Sequence, residues 1–252
     1  MRTLYIDIET SPMVAYAWRT FKENIGVDQI IEPTRVICAA WQWGHEDPAD
    51  GTFFHAEWYV DGHLGMVEML HSVLDEADVV VHYNGASFDV PHLNREFMEA
   101  GLTPPSPFAQ VDLYKVVSKM FRFTSNRLAH VSDVLKLGPE GKLHTDFSLW
   151  KDVLAGDKQA RLDMQTYNMN DVVITRELHE KFKPWVPGPP NAGLYADSEE
   201  PICVSCGSSE LEKRGFAYTS AGKFQRFQCQ GCGRWMRGAK RESTTPMREA
   251  RL

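Results

Sequence analysis

Six residues, Asp78 to Tyr83 (DVVVHY), constrain the fold more than any other segment. An apolar run this short, bounded by polar residues, suits a strand covered on both faces, and such strands belong to sheets layered between helices. Thr3 to Glu9 (TLYIDIE) alternates β-branched and aromatic residues with polar ones, which predicts a first strand. Arg35 to Trp43 predicts a second, Thr52 to Trp58 a third, and Gln110 to Leu113 a short last strand running into a helix near Val116. Helical spacing appears from Leu64 to Ala77 and from about Val90 to Ala100, where Gly101 ends it. From Leu128 the chain reads as mostly helical. Its longest stretch, Lys158 to Lys183, places Leu162, Tyr167, Met169, Val172, Val173, Leu178 and Phe182 along one broad face. Residues 10–34 read as irregular, with Pro12 and Pro33 as punctuation. Early strands, then alternation, then helices predict an α/β fold with a mixed central sheet flanked by helices.

Charge divides the 252 residues unevenly. The net charge is -7, but residues 1–202 carry 17 basic against 30 acidic side chains, and residues 203–252 carry 10 against 4. An acidic body with a basic end implies two units with different partners. The acidic body argues against passive coating of nucleic acid and is compatible with carboxylates that hold cations. No apolar run approaches the roughly 18 residues of a membrane span. The start, MRTLYIDIET, has no basic region followed by an apolar one, so no secretory signal and a cytoplasmic location are expected.

Three short pieces carry candidate chemistry. Asp7 and Glu9 sit at i and i+2 of the first strand and so share a face. Two buried carboxylates side by side need cations, although a single D-x-E taken alone is more simply a solvated strand face. Asn84-Gly85-Ala86-Ser87-Phe88-Asp89 follows the buried strand, at the end where α/β sheets favour ligands. Asp89 there is either a projecting ligand or the N-cap of the next helix. Tyr167 and Asp171 are one turn apart on the long helix, either a functional pair or a core-edge Tyr beside an exposed Asp.

Taken in order, D-x-E, N-x-x-x-F-D and Y-x-x-x-D resemble the DEDD superfamily of 3′–5′ exonucleases over residues 1–183. Tyr167 points to the tyrosine subclass, which includes polymerase proofreading domains; Thr166 stands where the histidine subclass has its base. The segment QVDLY around Asp112 is similar to the polymerase-type members. The resemblance implies an RNase H-like fold and two Mg²⁺ or Mn²⁺ ions. Asp7, Glu9 and Asp171 would hold one, with Asp7 bridging to a second supported by Asp89 largely through water. It implies that Tyr167 orients the attacking water and that Asn84 and Phe88 contact the terminal nucleotide, with Thr10 beside it. The chemistry agrees: hard oxygen ligands suit these ions, and paired ions suit phosphodiester hydrolysis.

Four of the five cysteines form two C-x-x-C-G turns, Cys203/Cys206 and Cys229/Cys232. Two such pairs without a secretory signal predict one structural Zn²⁺ rather than disulfides. The alternating segment between them, with a turn at Ser220–Gly222, predicts a hairpin, and the whole resembles a zinc ribbon. Basic and aromatic residues interleave there, as single-stranded nucleic acid favours, though the rings equally suit a small core. Cys38 and the run Trp41–Trp43 read as core.

The expected organisation is an exonuclease domain over 1–183, a Pro/Gly-rich linker over 184–200, a four-cysteine zinc ribbon over 201–238 and a basic polar tail over 239–252. The expected activity is metal-dependent 3′–5′ hydrolysis of DNA, single-stranded by preference, releasing nucleoside 5′-monophosphates. Alternatives are an exoribonuclease, a structure-specific RNase H-like endonuclease, or a non-catalytic nucleic-acid adaptor. Expected partners are single-stranded DNA ahead of RNA, replication or repair proteins through the ribbon, and no membrane.

Overall fold

The computed structural model describes residues 1–46, 53–138, 145–196, 200–220 and 222–247. Thr52, the predicted start of the third strand, Ala221 in the predicted hairpin turn, residues 197–199 of the linker and the tail beyond 247 lie outside these.

Contacts divide the chain into two compact units, residues 2–179 and residues 180–252 together with Met1. The larger unit opens with β1 (Thr3–Thr10), followed by a two-strand ribbon of β2 (Val14–Ala15) and β3 (Ile30–Glu32). Then come β4 (Val36–Trp43), β5 (Phe54–Glu57), α1 (Trp58–Asp61), α2 (His63–Asp75), β6 (Val79–His82), α3 (Asp89–Glu99) and β7 (Ala109–Asp112). Helices α4 (Leu113–Met120), α5 (Leu128–Leu135), α6 (Phe147–Leu154) and α7 (Lys158–Phe182) complete the series; α7 continues into the smaller unit. The segment expected to be irregular therefore contains the β2–β3 ribbon.

The main sheet has the order β5-β4-β1-β6-β7. β4 pairs antiparallel with β1 and β5, whereas β6 pairs parallel with β1 and β7. This is the mixed central sheet flanked by helices that the sequence predicts. All eight residues of β4 and all four of β6 are buried, because both faces are covered. On one face Leu4, Ile6 and Ile8 of β1 pack with Met66, Leu70, Leu93 and Phe97 of α2 and α3. On the other, Ile37 and Cys38 pack with Val153, Ala160, Met164 and Tyr167 of α6 and α7. Trp41, Trp43 and Cys38 are core residues, as expected.

Helix α7 follows the predicted face in part: Tyr167, Val172, Leu178 and Phe182 are buried. Leu162 is exposed, and Met169 and Val173 are half-buried. The buried positions include Asn168, Asp171, Thr175 and Arg176. Polar side chains occupy part of the inward stripe, so apolar periodicity alone recovers only part of it. Among the described residues no helix is long and apolar enough to cross a membrane.

The smaller unit carries a three-stranded antiparallel sheet of β8 (Leu211–Thr219), β9 (Gly222–Cys229) and β10 (Trp235–Ser243), in the order β10-β9-β8. β8 and β9 form the predicted hairpin. β10 extends past Gly238 to Ser243, into residues the sequence reads as polar tail, because β9 offers it an edge to pair with.

Glu96 of α3 is a buried charge that no sequence motif marks. Its carboxylate accepts from the Val36 backbone amide at 2.9 Å and contacts His63 Nε2 at 2.9 Å and Arg95 at 2.6 Å. It therefore ties α3 to α2 and to the start of β4. Burial alone would push its carboxyl up; the Val36 amide, Arg95 and His63 outweigh that and hold it below the ordinary glutamate value. Glu96→Ala should cost about 2–3 kcal/mol at neutral pH, read as a lower urea midpoint. A depressed carboxyl stabilises the fold above its unfolded pKa and loses that contribution as pH falls, so the deficit should narrow below about pH 4.

Candidate active site and metal centres

β1 and β6 run parallel, so their C-terminal ends reach the same edge of the sheet. Their ladder ends at Tyr5↔Val81. Beyond it the Ile8 amide donates to Asp89 Oδ1 at 3.2 Å, so the first residue of α3 completes the edge of β1. Asp89 is thus inside the helix, with Phe88 at the N-cap position, and the capping alternative does not hold. Burial pushes its carboxyl up to about 7, with Asp112 adding to the shift. A β-bulge follows at Glu9/Thr10, a common feature beside functional sites.

The turn that delivers Asp89 is held from beneath. Asn84 adopts φ 68°, a conformation Asn tolerates better than most residues. Its backbone amide donates to Asp112 Oδ1 at 3.0 Å. The Gly85 amide donates to His82 Nδ1 at 3.0 Å, which leaves the Nε2 proton for Gln110 Oε1 at 3.1 Å. Burial lowers the pKa of this imidazole, in keeping with a neutral ring. A Cβ at position 85 would fall 2.5 Å from that ring, so glycine is required there. His82 is therefore a support of the turn.

Asp7, Glu9, Asp89, Tyr167 and Asp171 line a single cavity of about 240 Å³, together with Tyr83, Asn84, Phe88 and Leu128. Asp89 and Asp171 are buried, Asp7 and Glu9 half-buried. The Tyr167 ring packs edge-on against Trp150, with centroids 6.1 Å apart. Phe88 is partly exposed and meets His92 edge-on at 4.7 Å. Thr10 lies elsewhere, lining a second depression with Ser11, Phe147 and Trp150. A larger cavity of about 430 Å³, around His55, Glu57 and Arg161, contains none of the predicted residues.

Asn168 escapes motif reasoning, since it occupies an unspecified position inside Y-x-x-x-D. It is fully buried, and its amide donates to Asp7 Oδ2 at 2.7 Å and to the Asp7 carbonyl at 3.1 Å. Such a contact fixes the rotamer of a cavity carboxylate. A polar residue one position after Tyr167, on the buried side of α7, is the only sequence signal for it. Cys38, opposite Glu9 in the β1–β4 register, has its thiol pushed up by burial and by Glu9 and Asp7, so it stays neutral.

The four cysteines make a second centre. Among the described residues they are the one group of three or more such side chains whose ligand atoms all lie within 4.8 Å of one another. Cys203–Cys232 and Cys206–Cys229 sulfurs are each 3.6 Å apart, near the ~3.8 Å spacing of four thiolates around a tetrahedral zinc and too far for disulfides. Gly207 and Gly233, at φ 75° and 80°, return their amides to the Cys203 and Cys229 carbonyls at 2.9 Å, so both turns have the same form. Arg234 donates to the carbonyls of Lys183 and Val186, and Ser205 also to Lys183, holding the preceding segment against the cysteine turns.

Residues 4–183 match the family RNase_H_2, described as the RNase_H superfamily. Among solved structures the chain is similar to the family B DNA polymerase from the hyperthermophilic archaeon Pyrobaculum calidifontis, at 20% identity and a TM-score of 0.49. That similarity covers 73% of this chain, which spans 24% of the polymerase chain. Comparison with curated proteins gives no match.

Two outcomes are expected. Asn168→Ala should raise the Mn²⁺ concentration needed for half-maximal hydrolysis by about tenfold or more, measured in a metal titration. Zinc analysis of the purified chain should give one ion, and its removal by a strong chelator should unfold the β8–β10 sheet while β1–β7 stays protected in hydrogen exchange.

Proposed function

The chain belongs to the RNase H superfamily, and from that premise we propose a metal-dependent 3′–5′ exonuclease of the tyrosine DEDD type with a C-terminal zinc ribbon. Membership supports a nuclease in general. The observation that carries the finer reading is the convergence of Asp7, Glu9, Asp89, Tyr167 and Asp171, from β1, α3 and α7, on one cavity.

The donor set fits divalent cations. Four carboxylates in a small, partly buried space repel one another and lose hydration, and hard oxygen donors favour Mg²⁺ or Mn²⁺. The raised carboxyl of Asp89 expresses the cost of burial, with Asp112 adding to it. Asp7, Glu9 and Asp171 would hold one ion, and Asp7 and Asp89 would support a second. Bound ions would supply an activated water near neutral pH and neutralise charge on the scissile phosphate. Tyr167 lines the cavity, and in this reading its hydroxyl orients the attacking water. Phe88 offers a partly exposed ring for the terminal sugar or base, and Asn84 a polar side chain beside it. Asn168 keeps Asp7 in its ligating rotamer. The substrate of this reading is DNA, single-stranded by preference, shortened to nucleoside 5′-monophosphates. The ribbon's basic and aromatic residues suit a nucleic-acid strand.

End-labelled DNA and RNA, run side by side with Mg²⁺ or Mn²⁺, test the reading. A 5′-labelled strand should shorten stepwise, and chelation should stop it. Asp7→Ala and Asp171→Ala should abolish the ladder, whereas Tyr167→Phe should leave a residue slowed by roughly 10²-fold. A fully active Asp7→Ala would sink the assignment; internal cuts would indicate an endonuclease, and a faster RNA ladder an exoribonuclease.

A further inference from the structure

Immediately after β1 the chain makes an excursion that the carboxylate cavity does not use. β2 and β3 pair antiparallel, Val14 with Glu32 and Ala15 with Ile30, and the residues between them form a built turn. Gln29 closes its base: its backbone carbonyl accepts from the Tyr16 amide at 2.9 Å, and its side-chain amide donates to the Tyr16 carbonyl at 2.8 Å. Glu23 clamps its tip by accepting from the backbone amides of Trp18, at 2.9 Å, and Arg19. These two amides hold the Glu23 carboxyl below its ordinary value, so the clamp operates at neutral pH.

What this turn presents is unusual. Tyr16 is 73% exposed, Trp18 91% and Phe21 74%, so three rings within six residues face water on a hydrogen-bonded frame. Exposed apolar surface of this kind marks a contact site, because leaving large rings in water forgoes their burial. Arg19 and Lys22 stand between and beside the rings, with the Lys22 ammonium 5.4 Å from the Phe21 centroid. Rings for bases and cations for phosphates are the combination that holds single-stranded nucleic acid without sequence preference. A purely apolar partner would leave both cations desolvated.

Placement agrees with chemistry. β1 ends at Thr10, one residue past Glu9, and the ribbon starts at Val14. Covalent geometry keeps Trp18 within about 30 Å of Glu9. We propose that the 16–22 turn is a stacking platform for the single-stranded nucleic acid whose end enters the carboxylate cavity, engaging Trp18, Phe21 and Tyr16 by base stacking and Arg19 and Lys22 by phosphate contact. The choice of substrate class rests on the nuclease reading; the platform itself rests on the exposed rings and their frame.

Two probes separate these ideas. The first is binding of a fluorescein-labelled oligothymidylate to the full chain, measured by anisotropy without added Mg²⁺ or Mn²⁺ and without chelator. The second is Mn²⁺-dependent hydrolysis of thymidine 5′-monophosphate p-nitrophenyl ester, which is too short to reach the turn. Trp18→Ala/Phe21→Ala should weaken oligonucleotide binding at least tenfold and leave ester hydrolysis unchanged, while Trp18→Phe should retain most of the binding. Unchanged oligonucleotide binding in the double variant overturns the platform, whatever the chain hydrolyses; so does a change in self-association alone, which would assign the rings to a protein contact. A matching loss of ester hydrolysis also overturns it, by making the turn a support of the cavity. If the wild type binds the oligonucleotide through these rings yet hydrolyses neither substrate, the platform stands and the nuclease reading alone fails.

Discussion

A parallel pair of strands must end at one edge of its sheet, and the β1–β6 pair sets where the chemistry of this chain can gather. The ladder stops at Tyr5↔Val81, which leaves the later amides of β1 without a neighbouring strand on that side. Asp89 takes the Ile8 amide, so the same carboxylate that borders the cavity also finishes the sheet. Register then decides which side chains face α7. Ile6 and Ile8 point into the core with α2 and α3, so Asp7 and Glu9 must take the opposite face. A slip of one residue would exchange the two sets and bury both carboxylates among leucines. The apolar pattern of β1 thereby enforces the position of its acids.

The cost of this arrangement falls on α7. An ordinary surface helix buries an apolar stripe, but this one buries Asn168, Asp171, Thr175 and Arg176. Each needs a partner to offset lost hydration. Asn168 donates to Asp7, and Arg176 donates to the carbonyls of Trp43 and Glu46 at the end of β4. Polar and apolar side chains share the inner wall of the helix, with Met164, Val172, Ile174 and Leu178 supplying its apolar contact.

The cysteine unit solves a different problem. Its strands expose most of their side chains, and its buried apolar residues are few, Phe224 among them. Convergent cysteine sulfurs and cation–ring stacks stand where a larger core would be. Arg237 lies 4.0 Å from the Phe224 centroid, Lys223 3.7 Å from Phe216 and Arg226 4.9 Å from Trp235. A module this small would gain stability from a metal held by its four sulfurs. Its basic charge is therefore partly spent on its own rings.

Short-range order is legible in the chain itself. Alternation in TLYIDIE, the covered run before Asn84 and the two C-x-x-C-G turns each determine local geometry through backbone and side-chain sterics within a few residues, and the order of the acidic motifs names the residues that share a cavity. Three things are not legible there. The inward face of α7 is read only in part because several of its buried positions are polar, and apolar periodicity cannot register them. Glu96 and Asn168 acquire their roles from partners 60 and 161 residues away, and no local pattern encodes such pairings. Thr10, one residue beyond Glu9, lines a different depression, at the step where the β1–β4 register shifts. Sequence alone determined most of the elements and which side chains are chemically able to act. Tertiary structure decided which of them meet, because desolvation and register act only after distant segments have packed.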